Sequence, residues 1–240
     1  MKGLVERAIF FLATMAWLAG PAANCGFAQP QHAAALSPAS DAAAPNPGGQ
    51  PIDGVAARIE DDILTDSEVR ELAAFQQLVD GKSKSRDELI SELADQWIVR
   101  GEADASKYPQ PTMEDVDRAY KQLVGQFPSP GEFEKQREAV GLGDAAVRRM
   151  LEQQIYLARF LDYRFRPAAQ VDEKQIQAYY NDEFAPQLKA RGEKVPPVDD
   201  VDDTIREVLV QRDIDTLAKQ WLDDTRDRLK IDIMSNGEAP

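Results

Sequence analysis

The chain has very few of the side chains on which most catalytic sites depend. It contains one cysteine, Cys25, and one histidine, His32, among 240 residues. Ser-His-Asp and Cys-His triads need a histidine, and most protein zinc sites need several cysteines or histidines. A disulfide bond needs two cysteines in one chain. The composition therefore argues against a triad, a zinc site or a disulfide framework.

Two ligand-binding motifs are also missing. No stretch has the alternating ligands, central glycine and distant glutamate of a calcium-binding loop, and no glycine-rich phosphate-binding loop is present. Acidic residues do cluster at 199–203, but there they begin a predicted helix, where the helix dipole favours negative charge. We expect neither a cofactor nor a metal ion.

Positive charge is scarce. The chain has 28 lysines and arginines against 42 aspartates and glutamates, a formal net charge of -14. Nucleic acids and anionic lipid surfaces repel a chain of this charge, so we expect neither as a partner. Beyond the N-terminal segment no apolar run is long enough to cross a bilayer, so no stable membrane insertion is expected.

The N-terminal residues 1–28 have the pattern of a secretory signal peptide. A basic start precedes an apolar run at 8–19, and small residues at Gly26 and Ala28 match the positions that signal peptidase reads. The pattern predicts cleavage after Ala28 and a periplasmic location. Cys25 suggests an alternative, a lipoprotein anchor, but Asn24 stands where a lipidation motif has a small residue.

The segment at 29–54 is rich in alanine, proline and glycine and carries only two charges, Asp41 and Asp53. This composition predicts a disordered spacer. We expect one ordered domain at 55–234 and a short disordered tail at 235–240.

The ordered part is predicted to begin with a hairpin. Val55, Ala57 and Ile59 alternate with more polar positions, as in a half-buried strand, and Asp61-Asp62 has turn chemistry. A short second strand then leads to Thr65, which with Glu68 forms a capping box at the start of a helix.

Further helices are predicted from cap residues and apolar spacing. Their expected starts are Ser85, Thr112, Ser129, Asp144, Val171-Asp172 and 199–204, with a loop at 185–197 before the last helix. Leu229, Ile231 and Ile233 alternate with polar or longer side chains and predict a final strand at 229–234. Because a hairpin alone is marginal, we expect this strand to pair with the N-terminal hairpin. The predicted fold is mainly α with one small antiparallel sheet.

The segment VAARIEDDILTDSEV at 55–69 resembles the opening of the chaperone module of SurA-type periplasmic chaperones, with Glu60 where that family has asparagine. The helix start at 112–116, the short helix around Phe133 and the long helix around Met150 also resemble that module. The resemblance covers 55–166, and 167–234 adds C-terminal helices and the closing strand. It implies a helical peptide-binding domain.

The segment VDEKQIQAYYNDEF at 171–184 is similar to the one that leads, in this family, into a parvulin prolyl isomerase domain. Here a short stretch at 185–197 follows instead. The parvulin site that the family implies is built on histidines, and the only histidine here is His32 in the spacer. We therefore expect no enzymatic activity, although a prolyl isomerase with an atypical site stays an alternative.

The implied function is ATP-independent binding of unfolded or extended envelope polypeptides, as in outer-membrane protein assembly. An alternative is a structural subunit of an envelope assembly with one dedicated partner; a homodimer also stays open. Aromatic and methionine side chains suit promiscuous apolar binding. The candidate peptide-binding residues are Phe127, Phe133, Met150, Tyr156, Phe160 and Tyr163, although core packing is the alternative for each of them.

Overall fold

A three-stranded antiparallel sheet holds the two ends of the described chain together. The computed structural model describes residues 53–234. In it β1 (Val55–Ile59) lies between β2 (Asp62–Thr65) and β3 (Ile231–Ile233). Ala57, Arg58 and Ile59 pair with Ile233, Asp232 and Ile231. The predicted pairing of the last strand with the hairpin is therefore confirmed. The predicted signal peptide, most of the spacer and the tail lie outside the described residues.

The hairpin turn lies one residue earlier than predicted. Asp62 already belongs to β2, and Glu60 adopts the left-handed conformation with φ 52°. Left-handed backbone is unfavourable for a residue other than glycine, asparagine or aspartate. Two contacts to β3 hold Glu60 there. Its N–H donates to the Lys230 carbonyl at 3.0 Å, and its Oε1 accepts from the Lys230 N–H at 2.7 Å.

The alternation predicted for β1 fails at one position. Ala56 and Ala57 are both fully buried, although neighbours in a regular strand face opposite sides. The register between β1 and β2 shifts between Val55 and Ala57. A β-bulge inserts one extra residue and so breaks the alternation.

Helices make up most of the described chain, as the sequence predicts. Capping boxes begin four of them, at Thr65, Ser85, Thr112 and Asp172, and the Ser129 hydroxyl caps another. Asp144, predicted as a cap, is instead the first helical residue after Gly143, which has no side chain to bond the helix end. The α-helices are α1 (Asp66–Asp80), α2 (Arg86–Ala105), α3 (Met113–Gly125), α4 (Pro130–Ala139), α5 (Asp144–Phe165), α6 (Glu173–Tyr179), α7 (Ala185–Ala190) and α8 (Asp202–Arg226).

The loop predicted from residue 185 begins instead as a helix. A π-helical turn, Tyr180–Phe184, joins α6 directly to α7, and the Ala185 N–H donates to the Tyr180 carbonyl. Pro186 lacks an N–H and would crowd the carbonyl four residues earlier in a regular α-helix. The wider π-helical turn lies immediately before Pro186, so the chain stays helical there. A 3-10 turn, Val198–Asp200, then leads to α8.

Three hydrophobic clusters form most of the core of residues 53–234. One packs the sheet against α1 and α2, around Ile59, Leu72 and Ile90. The second lies between α2, α5 and α8, around Val99, Phe160 and Ala218. The third joins α1 to the α3–α5 region and contains Phe75, Leu123 and Leu151. Among the described residues, no helix is both long and apolar enough to cross a membrane.

A partly buried ion pair connects α2 to the end of α8. Arg226 Nη2 lies 2.5 Å from Asp95 Oδ1. The contact is poorly aligned as a hydrogen bond, and the same nitrogen also donates to the carbonyl and hydroxyl oxygens of Ser91. Burial is the main cause that raises the pKa of Asp95 to about 6, against the opposing effect of Arg226; the carboxylates of Glu92 and Asp223 raise it further.

This pKa makes stability depend on pH. Because the pKa of Asp95 is raised on folding, its stabilising contribution is present below about pH 4 and is lost as the pH rises through about 6. The shift corresponds to about 3 kcal/mol at most. We expect the free energy of unfolding, measured with urea, to fall between pH 4.5 and 7 in the native protein and to stay nearly level in Asp95→Asn. Asp117→Asn, at an exposed ion pair, is the control. Equal pH dependence in native protein and Asp95→Asn would contradict the assignment.

Candidate functional site

The six residues predicted to line a peptide-binding groove belong to different parts of the structure. Phe133 is in the cluster around α3–α5, with Phe127 and Met150 packed at its edge. Tyr156 and Phe160 belong to the cluster between α2, α5 and α8. Tyr163 is exposed. The six side chains therefore do not line one common groove.

Three of the six are core residues, which corrects their assignment to a binding surface. Phe133 and Phe160 are each 1% exposed and Tyr156 is 3% exposed. The Phe133 ring packs edge-on against Phe127 and Tyr120, with centroids 5.1 and 5.6 Å away. A peptide could reach these rings only if the helices separated. Aromatic spacing does not distinguish a packed face from an open one.

One pair of aromatic rings does reach the surface. Tyr163, on the last turns of α5, is 64% exposed. Its ring centroid lies 5.3 Å from that of Tyr108, which is half-buried in the connection 106–112 between α2 and α3. Tyr108 in turn contacts the buried Phe160 ring at 5.6 Å. We call Tyr108 and Tyr163 the tyrosine surface.

Hydrogen bonds fix the tyrosine surface to the helices. Lys107 has a φ of 54°, which turns the chain sharply at the end of α2. The Tyr108 hydroxyl then donates to the Arg159 carbonyl of α5 at 3.1 Å. Beneath it, the Tyr156 hydroxyl donates to Asp104 at 2.7 Å. The connection is thus bonded to α5, and Tyr156 ties α5 to α2.

An ion pair joins α5 to the first turn of α3, where the same connection ends. Arg159 donates two hydrogen bonds, of 2.8 and 2.7 Å, to the carboxylate of Asp115, which also caps α3 through Thr112. The Arg159 hydrogen bonds hold the pKa of Asp115 far below its usual range. The pair therefore stays charged across the physiological pH range.

Burial raises the pKa of Tyr108, so this phenol of the tyrosine surface stays protonated at neutral pH. Burial also raises the pKa of the underlying Tyr156 to about 12. An exposed tyrosine ring can pack against aromatic, proline or aliphatic side chains, and its hydroxyl can bond to a peptide backbone. The tyrosine surface is suited to binding, and it holds no group placed for acid-base chemistry.

A concave region, separate from the tyrosine surface, lies between α6, the π-helical turn and α8. It is an open hollow of about 270 Å³ lined by Gln175, Ala178, Tyr179, Asp182, Glu183 and Leu209. Arg212 lies 4.7 Å from the Tyr179 ring and forms a two-fold ion pair with Glu183. Because Glu183 is already paired with Arg212, its carboxylate is less available to a ligand.

No metal centre can be built from the part of the chain that the structure describes, because no three His, Cys, Asp or Glu side chains converge there. Cys25 and His32 lie outside residues 53–234. The expectation that the protein has no metal ion and no catalytic site stays a prediction.

Comparisons with known proteins add no assignment. No protein-family model matches the chain, and no curated protein matches its sequence. The resemblance to SurA-type chaperones therefore rests on the residues at 55–69 and on the order of the helices that follow.

Tyr108 is not among the candidates predicted from the sequence, because it lies in the connection 106–112, where no helical spacing applies. A usable signal was present. Tyr156, Phe160 and Tyr163 are spaced by four and three residues and so share one face of α5. Tyr163, the last of these three, lies near the end of α5, where a residue of a loop rather than of another helix can pack against its ring.

The division between core and surface predicts different stability costs. Phe133→Ala and Phe160→Ala should each lower the free energy of unfolding by about 3–5 kcal/mol, because each removes a fully buried ring. Tyr163→Ser should cost about 1 kcal/mol or less, because the ring is mostly in water. Urea unfolding followed by circular dichroism measures all three. A cost for Tyr163→Ser as large as for Phe160→Ala would contradict the assignment of Tyr163 to the surface.

Proposed function

We propose that this protein is an ATP-independent periplasmic holdase that binds unfolded or extended segments of envelope proteins. The observation that carries the proposal is the tyrosine surface. Tyr163 exposes most of an aromatic side chain on a frame fixed by the Tyr108 hydroxyl and by the Arg159–Asp115 pair. A rigid aromatic side chain loses little conformational entropy on binding, so it can hold many different apolar segments weakly.

The fold supports the same proposal. A hairpin leads through a capping box into successive helices, and a C-terminal strand returns to the hairpin. This arrangement agrees with the helical chaperone module that the resemblance implies. Residues 185–197, at the position expected for a parvulin domain, form only α7 and a short loop. That favours binding over prolyl isomerisation.

Charge also favours a holdase. The net charge of -14 makes copies of the protein repel one another. Unfolded clients aggregate through exposed apolar segments. A client held on an acidic carrier would share that repulsion, so the complex would stay soluble without a nucleotide-driven cycle.

Aggregation suppression tests the proposal. An unfolded outer-membrane β-barrel protein is diluted into buffer with increasing amounts of the purified protein, and light scattering is followed. We expect suppression near equimolar ratio without ATP. Tyr163→Ser should need roughly two to ten times more protein for the same effect, as expected for the loss of one aromatic contact. Tyr163→Phe should behave like the native protein.

Two controls make the result specific. Ile63→Thr changes an exposed apolar side chain of β2, 53% exposed, and should leave suppression unchanged. An inert acidic protein measures the effect of charge alone. If the native protein suppresses aggregation no better than the inert acidic protein does, the holdase proposal is rejected. Co-purification of one stoichiometric partner would then favour a dedicated structural subunit.

A further inference from the structure

The backbone groups of β3 face two directions, and only one of them is occupied by β1. The Met234 N–H donates to the Ala56 carbonyl, and the Glu60 N–H donates to the Lys230 carbonyl. In an antiparallel pair, hydrogen-bonded and non-hydrogen-bonded positions alternate. Arg58 and Asp232 are therefore also a hydrogen-bonded pair. It follows that the N–H and C=O groups of Ile231 and Ile233 point away from β1.

No other strand of residues 53–234 pairs with this outer edge, because β3 is the last strand in the order β2-β1-β3. The side chains of Ile231 and Ile233 lie on the same face as Ala57 and Ile59, which are buried. Ile231 packs on the core, whereas Ile233 is 52% exposed. The edge thus combines outward backbone groups with uncovered apolar surface.

The opposite edge of the sheet is less open. With the Arg58 backbone directed at β3, Ala57 and Ile59 bond to β2, so Ile63 and Thr65 face outward there. The Thr65 N–H is already bound by the Glu68 carboxylate at 2.7 Å, within the capping box. An added strand would find two complete positions at β3 and only Ile63 at β2.

The side chains of β3 determine which strand fits. Residues opposite Ile231 and Ile233 would lie on the apolar face, and the residue between them would oppose Asp232 at close range. Asp232 already has Lys230 at 3.3 Å and Arg58 across the β1 pair. The Asp232 carboxylate favours a basic residue opposite it, but only by a few-fold, because Lys230 and Arg58 already lie beside that carboxylate. The matching segment is apolar-basic-apolar in extended conformation.

A second copy of this chain fits less well. In a symmetric antiparallel β3–β3 pair, Ile231 would oppose Ile233 and each Asp232 would oppose the other. Like charges directly opposite one another destabilise a strand pair. The net charge of -14 adds repulsion between copies. The edge therefore favours an unlike strand over self-pairing.

We propose that the outer edge of β3 binds an extended client segment of apolar-basic-apolar pattern as an added antiparallel strand. This inference rests on the proposed holdase function and supplies a backbone-based mode of client binding. Main-chain hydrogen bonds can form with segments of many different sequences, which a general holdase requires. The side-chain pattern adds a modest preference for apolar-basic-apolar segments.

The test uses a fluorescent peptide containing Val-Lys-Val flanked by threonines, with the purified protein. In nuclear magnetic resonance experiments, the Ile231 and Ile233 amides should exchange quickly with solvent in the free protein and slow down when the peptide is added. Methylation of both valine nitrogens should abolish binding, because those N–H groups face β3. Methylation of the lysine backbone nitrogen, whose N–H faces away from β3, should leave peptide binding unchanged.

A pair of variants tests the same edge from the protein side. Ile233→Pro removes an outward N–H that β1 does not use, and proline is tolerated on edge strands. Peptide binding, measured by fluorescence anisotropy, should weaken about tenfold or more. Ile233→Thr removes apolar surface but keeps the N–H and should weaken binding by only about threefold. The native circular dichroism spectrum and unfolding midpoint check that both variants fold.

The outcomes separate the two proposals. The proposal that the β3 edge binds a strand would be overturned by either of two results. One is that the Ile231 and Ile233 amides stay unprotected at saturating peptide, and the other is that the two methylated peptides bind equally well. If aggregation suppression persists in Ile233→Pro and, in the native protein, the Ile231 and Ile233 amides stay unprotected at saturating peptide, the holdase proposal stands without the edge proposal. If the amides are protected but the protein suppresses no aggregation, the edge binds a strand of one dedicated partner and the holdase is rejected.

Discussion

The pairing of β1 with β3 is the constraint on which the rest of the structure depends. It joins residues near 57 to residues near 233, so it closes almost the whole described chain into one loop. Closing a long loop costs conformational entropy that short-range contacts cannot repay. The structure concentrates polar contacts at this closure: Glu60 binds Lys230 through backbone and side chain, and Arg86 bridges Asp66 to the Met234 carbonyl. The Asp95–Arg226 pair then holds the end of α8, from which β3 follows, against α2.

Local chemistry explains which parts of this fold could be predicted from the sequence. A cap residue and its partner three positions later interact within one turn, so Thr65, Ser85 and Thr112 identify helix starts without tertiary information. The last strand could be paired correctly because an isolated hairpin is unstable. The failures lie where distant contacts override local preference. Glu60 occupies a left-handed position because β3 binds it, and the bulge at Ala56 depends on register. Pro186 was interpreted as a loop residue, although a π-helical turn immediately before it keeps the chain helical.

The candidate site shows the same limit more sharply. Helical spacing places Tyr156, Phe160 and Tyr163 on one face of α5, but spacing contains no information about what covers a face. The first two meet α2 and α8 and are buried. Tyr163 lies beyond that contact, and within residues 53–234 its one aromatic neighbour is Tyr108. The free edge of β3 was equally hidden, because it follows from which carbonyls and amides face β1. A sequence specifies side chains directly, but exposed backbone becomes visible only once the register is known.

The two proposed binding features use different physics, and their difference favours a general holdase over a site for one fixed ligand. The tyrosine surface offers apolar area and requires few hydrogen bonds from its ligand, so it would favour segments rich in apolar side chains. The β3 edge offers backbone hydrogen bonds, so it selects for extended conformation. An unfolded chain presents both properties, whereas a folded protein hides them in its core and its sheets. Many arginines of this chain, such as Arg159, Arg166 and Arg212, are engaged in ion pairs with its own carboxylates. The remaining excess of negative charge would attract basic segments of a client, and salt would screen this attraction. Selection for unfolded, extended and basic segments can thus arise from three weak terms, none of which requires a closed pocket or a nucleotide.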